Sequence, residues 1–167
     1  MRIPVFVSCP TDLNTAQNAS RSLILNELKN FSLEPRALGR SDYPTEYPLR
    51  EVLVIAKHCS GGIILGFEQF YSANGVWKRG IPGAEKKVSD VSFPTPWNNL
   101  EAGVLFSMGI PLLVFKEPSI SGGVFDSGVT DVFVHRMPIA PILAPDKKGL
   151  SEVFLKWQSK VREHYYR

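Results

Sequence analysis

The chain has 167 residues, 44% of them hydrophobic, and 19 basic against 16 acidic side chains give a formal net charge of +3. That length and apolar content suit one globular domain with a full core. No run of like charge exceeds a pair (Lys86-Lys87, Lys147-Lys148), which leaves no stripe for nucleic acid, and no apolar run is long enough to span a bilayer.

The N-terminus lacks the apolar segment of a signal peptide, so a cytoplasmic protein with no membrane and no nucleic-acid partner is expected. Cys9 and Cys59 have no metal-type spacing, and the histidines at 58, 135 and 164 are scattered, so no metal is expected.

Ile3 to Ser8 opens as a short apolar strand that stops at Cys9-Pro10. A helical period follows from Asn14 on, where Asn14 and Gln17 suit a capping-box pair, and Pro35 is expected to end it. Arg36 to Leu38 reads as a weak second strand, and 39–47 has the polar, Gly/Pro character of a loop. Pro48 starts the next helix, with Leu49, Val52, Leu53, Ala56 and Cys59 as its apolar stripe and Gly61-Gly62 as its stop. His58-Cys59 reads as helix-end packing rather than a nucleophilic dyad.

Ile63 to Phe67 is a buried strand. From Glu68 to Pro94 the periodicity is lost, and a connection this long inside a compact domain is often functional. Phe70, Tyr71 and Trp77 make it too aromatic for a solvated loop, and Lys78 and Arg79 suit a pyrophosphate. The segment is therefore expected to cover a ligand crevice or an assembly surface.

Thr95 is a natural N-cap with Pro96 at the first helical position, Gly109 ends the helix, and Ile110 to Phe115 is a strand. Asp131 to Met137 reads as a last strand and 138–145 as a proline-rich connector. Leu150, Val153, Phe154, Trp157, Val161 and Tyr165 draw an amphipathic terminal helix.

Strands alternating with helices imply a parallel sheet covered on both faces. The expected fold is α/β: a doubly wound, mostly parallel five-stranded, flavodoxin-like sheet in one domain over 1–167, with an insertion at about 68–94. In such a fold the C-terminal ends of the strands share one edge with the helix N-termini, and ligands bind there. Strand one delivers Ser8, Cys9, Pro10 and Asp12 to that edge. Strand two delivers Arg40 and Asp42, strand three Gly66 and Phe67, and the helix start Trp97 and Glu101.

Trp97 and Glu101 are four residues apart and so share a helix face. Gly103 costs the helix about 1 kcal/mol relative to alanine, which signals a close approach to the backbone. A carboxylate with hydroxyls, a guanidinium and aromatics suits a ligand of sugar and base. No glycine-rich dinucleotide fingerprint or P-loop is present.

These residues resemble a known family. Val5-Phe-Val-Ser8 is similar to the opening strand of Toll/interleukin-1 receptor (TIR) domains, and Pro48-Leu49 after a polar loop to their BB-loop region. Ile63-Ile-Leu-Gly-Phe67 resembles their third strand. Trp97-x-x-x-Glu101 followed by Gly109-Ile-Pro-Leu-Leu-Val114 resembles the Trp-to-Glu helix and next strand of the enzymatic members. The resemblance covers roughly residues 3–115.

It implies that Glu101 cleaves the nicotinamide–ribose bond of NAD by hydrolysis or cyclisation, with NAD as substrate and no cofactor. It also implies a homo-oligomer whose Arg40–Tyr47 loop completes a neighbour's site, and bacterial antiviral defence as a setting. Nucleoside 2-deoxyribosyltransferases are a second resemblance, through Glu101-Ala-Gly103 and Ser8-Cys9-Pro10. Their acidic cluster after the third strand is matched only loosely by Gly66-Phe67-Glu68. A non-catalytic nucleotide-binding or TIR–TIR interaction module is the remaining reading.

Overall fold

The computed structural model describes residues 2–38 and 47–167. Five strands form one sheet: β1 (Ile3–Ser8), β2 (Leu33–Arg36), β3 (Gly62–Gly66), β6 (Leu112–Lys116) and β7 (Val134–Arg136). Their spatial order is β2-β1-β3-β6-β7, and every neighbouring pair is parallel. This is the flavodoxin-like doubly wound order, here wholly parallel. The remaining strands, β4 (Phe70–Trp77) and β5 (Lys86–Phe93), pair antiparallel as a separate ribbon.

Each face of the sheet is covered by two helices. On one side Val5, Val7, Ile63, Leu65 and Phe115 pack with Ile24 and Leu28 of α1 (Thr15–Asn30) and with Phe154, Trp157 and Val161 of α4 (Ala144–Tyr165). On the other, Phe6, Ile64 and Val114 pack with Val52, Ile55 and Ala56 of α2 (Pro48–Lys57) and with Ala102 and Leu105 of α3 (Pro96–Ser107). β3 is buried along its whole length, as a central parallel strand must be.

Gly61 and Gly62 do more than stop α2. A Cβ on Gly61 would stand 2.7 Å from Val161, and one on Gly62 would stand 2.7 Å from Leu105. The helices on both faces thus rest against bare backbone.

The caps form as the sequence implies. Asn14 Oδ1 accepts from the Gln17 backbone at 2.9 Å, and Gln17 Oε1 accepts from the Asn14 backbone at 3.2 Å. Thr95 Oγ1 accepts from the Trp97 N–H at 3.3 Å, and Gly109 takes φ of 68° just past α3.

Several boundaries differ from the sequence reading. α1 ends at Asn30, and Pro35 lies inside β2 rather than ending the helix. β2 is the sheet edge, where a missing N–H breaks no ladder. Leu49 and Leu53 of α2 are exposed, and the buried stripe runs instead through Glu51, Val52, Ile55 and Ala56. α4 begins at Ala144, six residues before Leu150, with Pro145 in a first turn that needs no N–H.

The largest departure is the insertion. It is a regular hairpin rather than an aperiodic loop, with Phe70 opposite Phe93 and Trp77 opposite Lys86. No described helix is long and apolar enough to cross a membrane.

Candidate functional site

At the C-terminal edge of the sheet a cleft of about 480 Å³ opens between the ends of β1 and β3. In this strand order that is the switch point, where successive connections leave toward opposite faces. Cys9, Pro10, Thr11 and Asp12 line it from the segment after β1, Gln69 from the segment after β3, and Thr95, Trp97 and Glu101 from the start of α3. Leu38 and Pro48 also line it. A larger hollow of about 550 Å³ lies beyond β7, walled by Met137, Pro138, Ile142 and Leu143. It is mostly apolar and lies away from the switch point, so the cleft is the better site.

Glu101 is the centre of the cleft's chemistry. Only 8% of it is exposed, and burial raises its pKa from 4.5 to about 7, against the lowering effect of a hydrogen bond from Ser8. The carboxyl therefore changes charge near neutrality, where an acid, base or nucleophile is most useful. Trp97 is 40% exposed, enough to offer an apolar surface at the cleft mouth.

Ser8 does not line the cleft. It is 1% exposed, and its hydroxyl accepts from Asn98 Nδ2 at 2.8 Å while serving Glu101. Its place is beneath the carboxylate rather than against a substrate.

The other sequence-derived residues divide cleanly. Cys9, Pro10, Asp12, Trp97 and Glu101 come together in the cleft. Gly66 and Phe67 do not. Phe67 is fully buried in the core on the α1/α4 side, and a Cβ on Gly66 would stand 2.5 Å from the Phe125 ring. β3 therefore ends in packing and hands the edge to Glu68 and Gln69.

Gly103 is exposed with no protein atom within 4 Å of where its Cβ would be, so among the described residues no backbone packs closely against it. Arg40 and Asp42 lie outside the described residues. Cys59 is buried and His58 exposed, consistent with a helix end.

Glu68 and Glu117 stand at a neighbouring hollow of about 320 Å³ with Gln17 and Ser119. Glu68 accepts from the hydroxyls of Ser92 and Ser119, while Glu117 accepts from the Glu68 backbone at 2.6 Å and from Gln17 Nε2 at 3.2 Å. These carboxylates tie the base of the ribbon to the sheet. Among the described residues no group of three or more His, Cys, Asp and Glu side chains is placed to hold a metal ion.

Sequence reasoning missed Gln69, Leu38 and Asn98. Asn98 had a readable signal: with Glu101, Ala102 and Leu105 it completes the buried stripe of α3, so it is a polar residue at a core position.

The chain has no significant match to any protein-family model, curated protein or solved structure.

Proposed function

We propose that the cleft cleaves the N-glycosidic bond between nicotinamide and ribose in NAD, as TIR-like enzymes do, with Glu101 as the reacting carboxylate. The observation that carries this reading is Glu101 itself: a buried carboxyl with its pKa raised to about 7, opening beside Trp97 into a cleft at the switch point. As the C1′–N bond breaks, its electron pair leaves with the nicotinamide nitrogen, which departs neutral. The ribose gains oxocarbenium character, which ionised Glu101 stabilises or traps until water, or another nucleophile of the same molecule, attacks C1′.

No general acid is needed for a leaving group that is already cationic. This fits a cleft in which Asp12, on the exposed segment after β1, is the only other carboxylate among the described lining residues. Trp97 offers the stacking surface. Thr11, Thr95 and Gln69 offer hydrogen bonds to hydroxyls and amides.

The nucleoside-transferring alternative needs a second acid to protonate an unactivated base. Glu68 and Glu117 are held by hydrogen bonds at the ribbon base and do not line the cleft, which favours NAD. A homo-oligomeric, cytoplasmic protein in antiviral defence goes with this reading.

Incubating the protein with NAD and, separately, with deoxynucleosides, then separating products by chromatography, tests it. Nicotinamide release that Glu101→Gln reduces by several orders of magnitude is expected, because the charge acts in the transition state. Base release from deoxynucleosides alone would transfer the site to the alternative. No turnover of either would leave a binding module.

A further inference from the structure

Gln69 lines the cleft from the segment after β3, and its own hydrogen bonds narrow what it can offer a ligand. Its backbone N–H donates to the Phe93 carbonyl at 2.9 Å, which fixes the main chain against the base of the ribbon. Its side-chain Nε2 donates to the Glu68 carbonyl at 3.0 Å and to the Asp12 carbonyl at 3.3 Å. The amide thus bridges the segments that follow β3 and β1, the two strands at the switch point.

A main-chain carbonyl can only accept. Two of them on one nitrogen decide which end of the amide is which, and they occupy both of its N–H groups. What is left is Oε1, an acceptor with no hydrogen-bond partner among the described residues.

An untethered glutamine can turn its amide and suit donors and acceptors alike. Gln69 can do so only by giving up both carbonyl bonds. The hydroxyls of Thr11 and Thr95 in the same cleft rotate, and a hydroxyl can donate or accept, so they discriminate little. Gln69 is therefore the neutral group of the cleft with a set polarity.

A sugar hydroxyl would satisfy Oε1, but it would satisfy almost any polar side chain as well. The group that calls for a pure acceptor is an N–H₂. In NAD the N–H₂ nearest the reacting C1′ belongs to the nicotinamide carboxamide, on the ring that Glu101 is proposed to release. We infer that Gln69 is a specificity-determining residue: its Oε1 accepts from the carboxamide N–H₂ of the nicotinamide ring and so selects that ring over one carrying only an acceptor there.

The inference rests on NAD as the substrate, and its test reads binding rather than cleavage. Calorimetry on Glu101→Gln, which leaves the ligand intact, measures the affinity for NAD and for its 3-acetylpyridine analogue. In that analogue a methyl group replaces the N–H₂ and the carbonyl stays. NAD is expected to bind about five- to tenfold more tightly, the effect of one hydrogen bond that the ketone cannot make. Gln69→Met, similar in length but without the amide oxygen, should weaken NAD by about that factor when added to Glu101→Gln. The affinity for the analogue should not change.

Equal affinities with Gln69 in place overturn the inference, as does a preference for NAD that survives Gln69→Met. An equal loss of both ligands overturns it too, since Gln69 would then be only a brace between Asp12 and Glu68. So does binding of neither dinucleotide. Should Gln69→Met fail to fold, Gln69→Leu takes its place; should neither fold, the brace is again the answer and the inference is overturned.

The two readings fail separately. A preference that Gln69→Met erases, in a protein whose wild type releases no nicotinamide, keeps Gln69 and removes the chemistry assigned to Glu101. Nicotinamide release by wild type together with equal affinities does the reverse.

Discussion

The central sheet and the β4–β5 ribbon are both built from strands, yet they follow different physics. β3 is buried along its length between two helical layers, whereas the ribbon has a single buried residue, Ser92 near its base. Phe67 and Phe70 make the contrast within one turn of chain: the first is completely buried and the second is 58% exposed. A strand buried on one or both faces must write that burial into its sequence, as an apolar run or an alternation. A ribbon that packs against little has no such obligation. Its order comes from cross-strand pairing and a few ring contacts, such as those of Phe70 and Trp77 with Phe93.

The sharpest way to break this comparison is to truncate both aromatics. Phe67→Ala leaves a cavity in the core on the α1/α4 side and is expected to cost about 3–5 kcal/mol. Phe70→Ala loses mainly its ring contact with Phe93, worth about 0.5–1.5 kcal/mol. Chemical denaturation of the two variants measures both. Equal losses would mean that the ribbon is as much a part of the core as β3.

A second prediction sets the buried carboxyl against the same scale. Glu101 has its pKa raised from 4.5 to about 7. A group raised on folding favours the native state fully below its unfolded pKa, and that contribution is lost as pH rises through the folded value. Stability should therefore fall between about pH 4.5 and somewhat above pH 7, by on the order of 3 kcal/mol at most. Glu101→Gln, which cannot ionise, should be more stable than wild type at pH 8 by up to that amount and nearly equal to it at pH 4. A flat difference across pH would show that Glu101 is not held in a desolvating site. The variant expected to abolish cleavage is thus also expected to stabilise the protein at alkaline pH, the usual cost of keeping a reactive group buried.

The sequence disclosed the site's frame better than its furniture. Thr95, Pro96 and Gly109 bracket α3 by local chemistry that tertiary context did not overrule, and that placed Glu101 and Trp97. The alternation of strands and helices brought Cys9, Pro10 and Asp12 to the same edge.

Gly66 and Phe67 lie in packing rather than in the cleft because topology locates the end of a strand but not which way each side chain points. A shift of one residue exchanges core for cleft. Gln69 was out of reach because its position depends on the hairpin, where its backbone donates to the Phe93 carbonyl at 2.9 Å. The ribbon was read as aperiodic for the reason already given: exposure removes the pattern.

The smallest expected effect is also the one that decides what the ribbon is for. Its base is joined to the body by the Ser92 hydroxyl on Glu68, by Gln69 on Phe93 and by a bridge between Ser92 and Ile120. Beyond that base, Tyr71, Trp77, Lys78 and Arg79 are exposed, and none of them lines the cleft. Ser72 and Val91 are paired, so residues 73–90 can be replaced by Asn-Gly, whose turn matches the twist of a two-residue hairpin. The shortened protein loses the Trp77 contact with Phe93, the hydrogen bond of the Tyr71 hydroxyl to Asp90 and the outer ladder from Asn74–Ser89 to Trp77–Lys86, all in the exposed part of the ribbon, so a stability change of about 1 kcal/mol is expected. The titration midpoint of Glu101 should not move, because the causes of its shift, burial and Ser8, lie outside the removed residues. Nicotinamide release per molecule should match wild type when the protein is concentrated. A loss of cleavage at every concentration, with the fold intact, would show that the ribbon closes over the cleft when substrate binds. A loss confined to dilute protein, with a matching fall in sedimentation coefficient, would place its exposed aromatics between protomers.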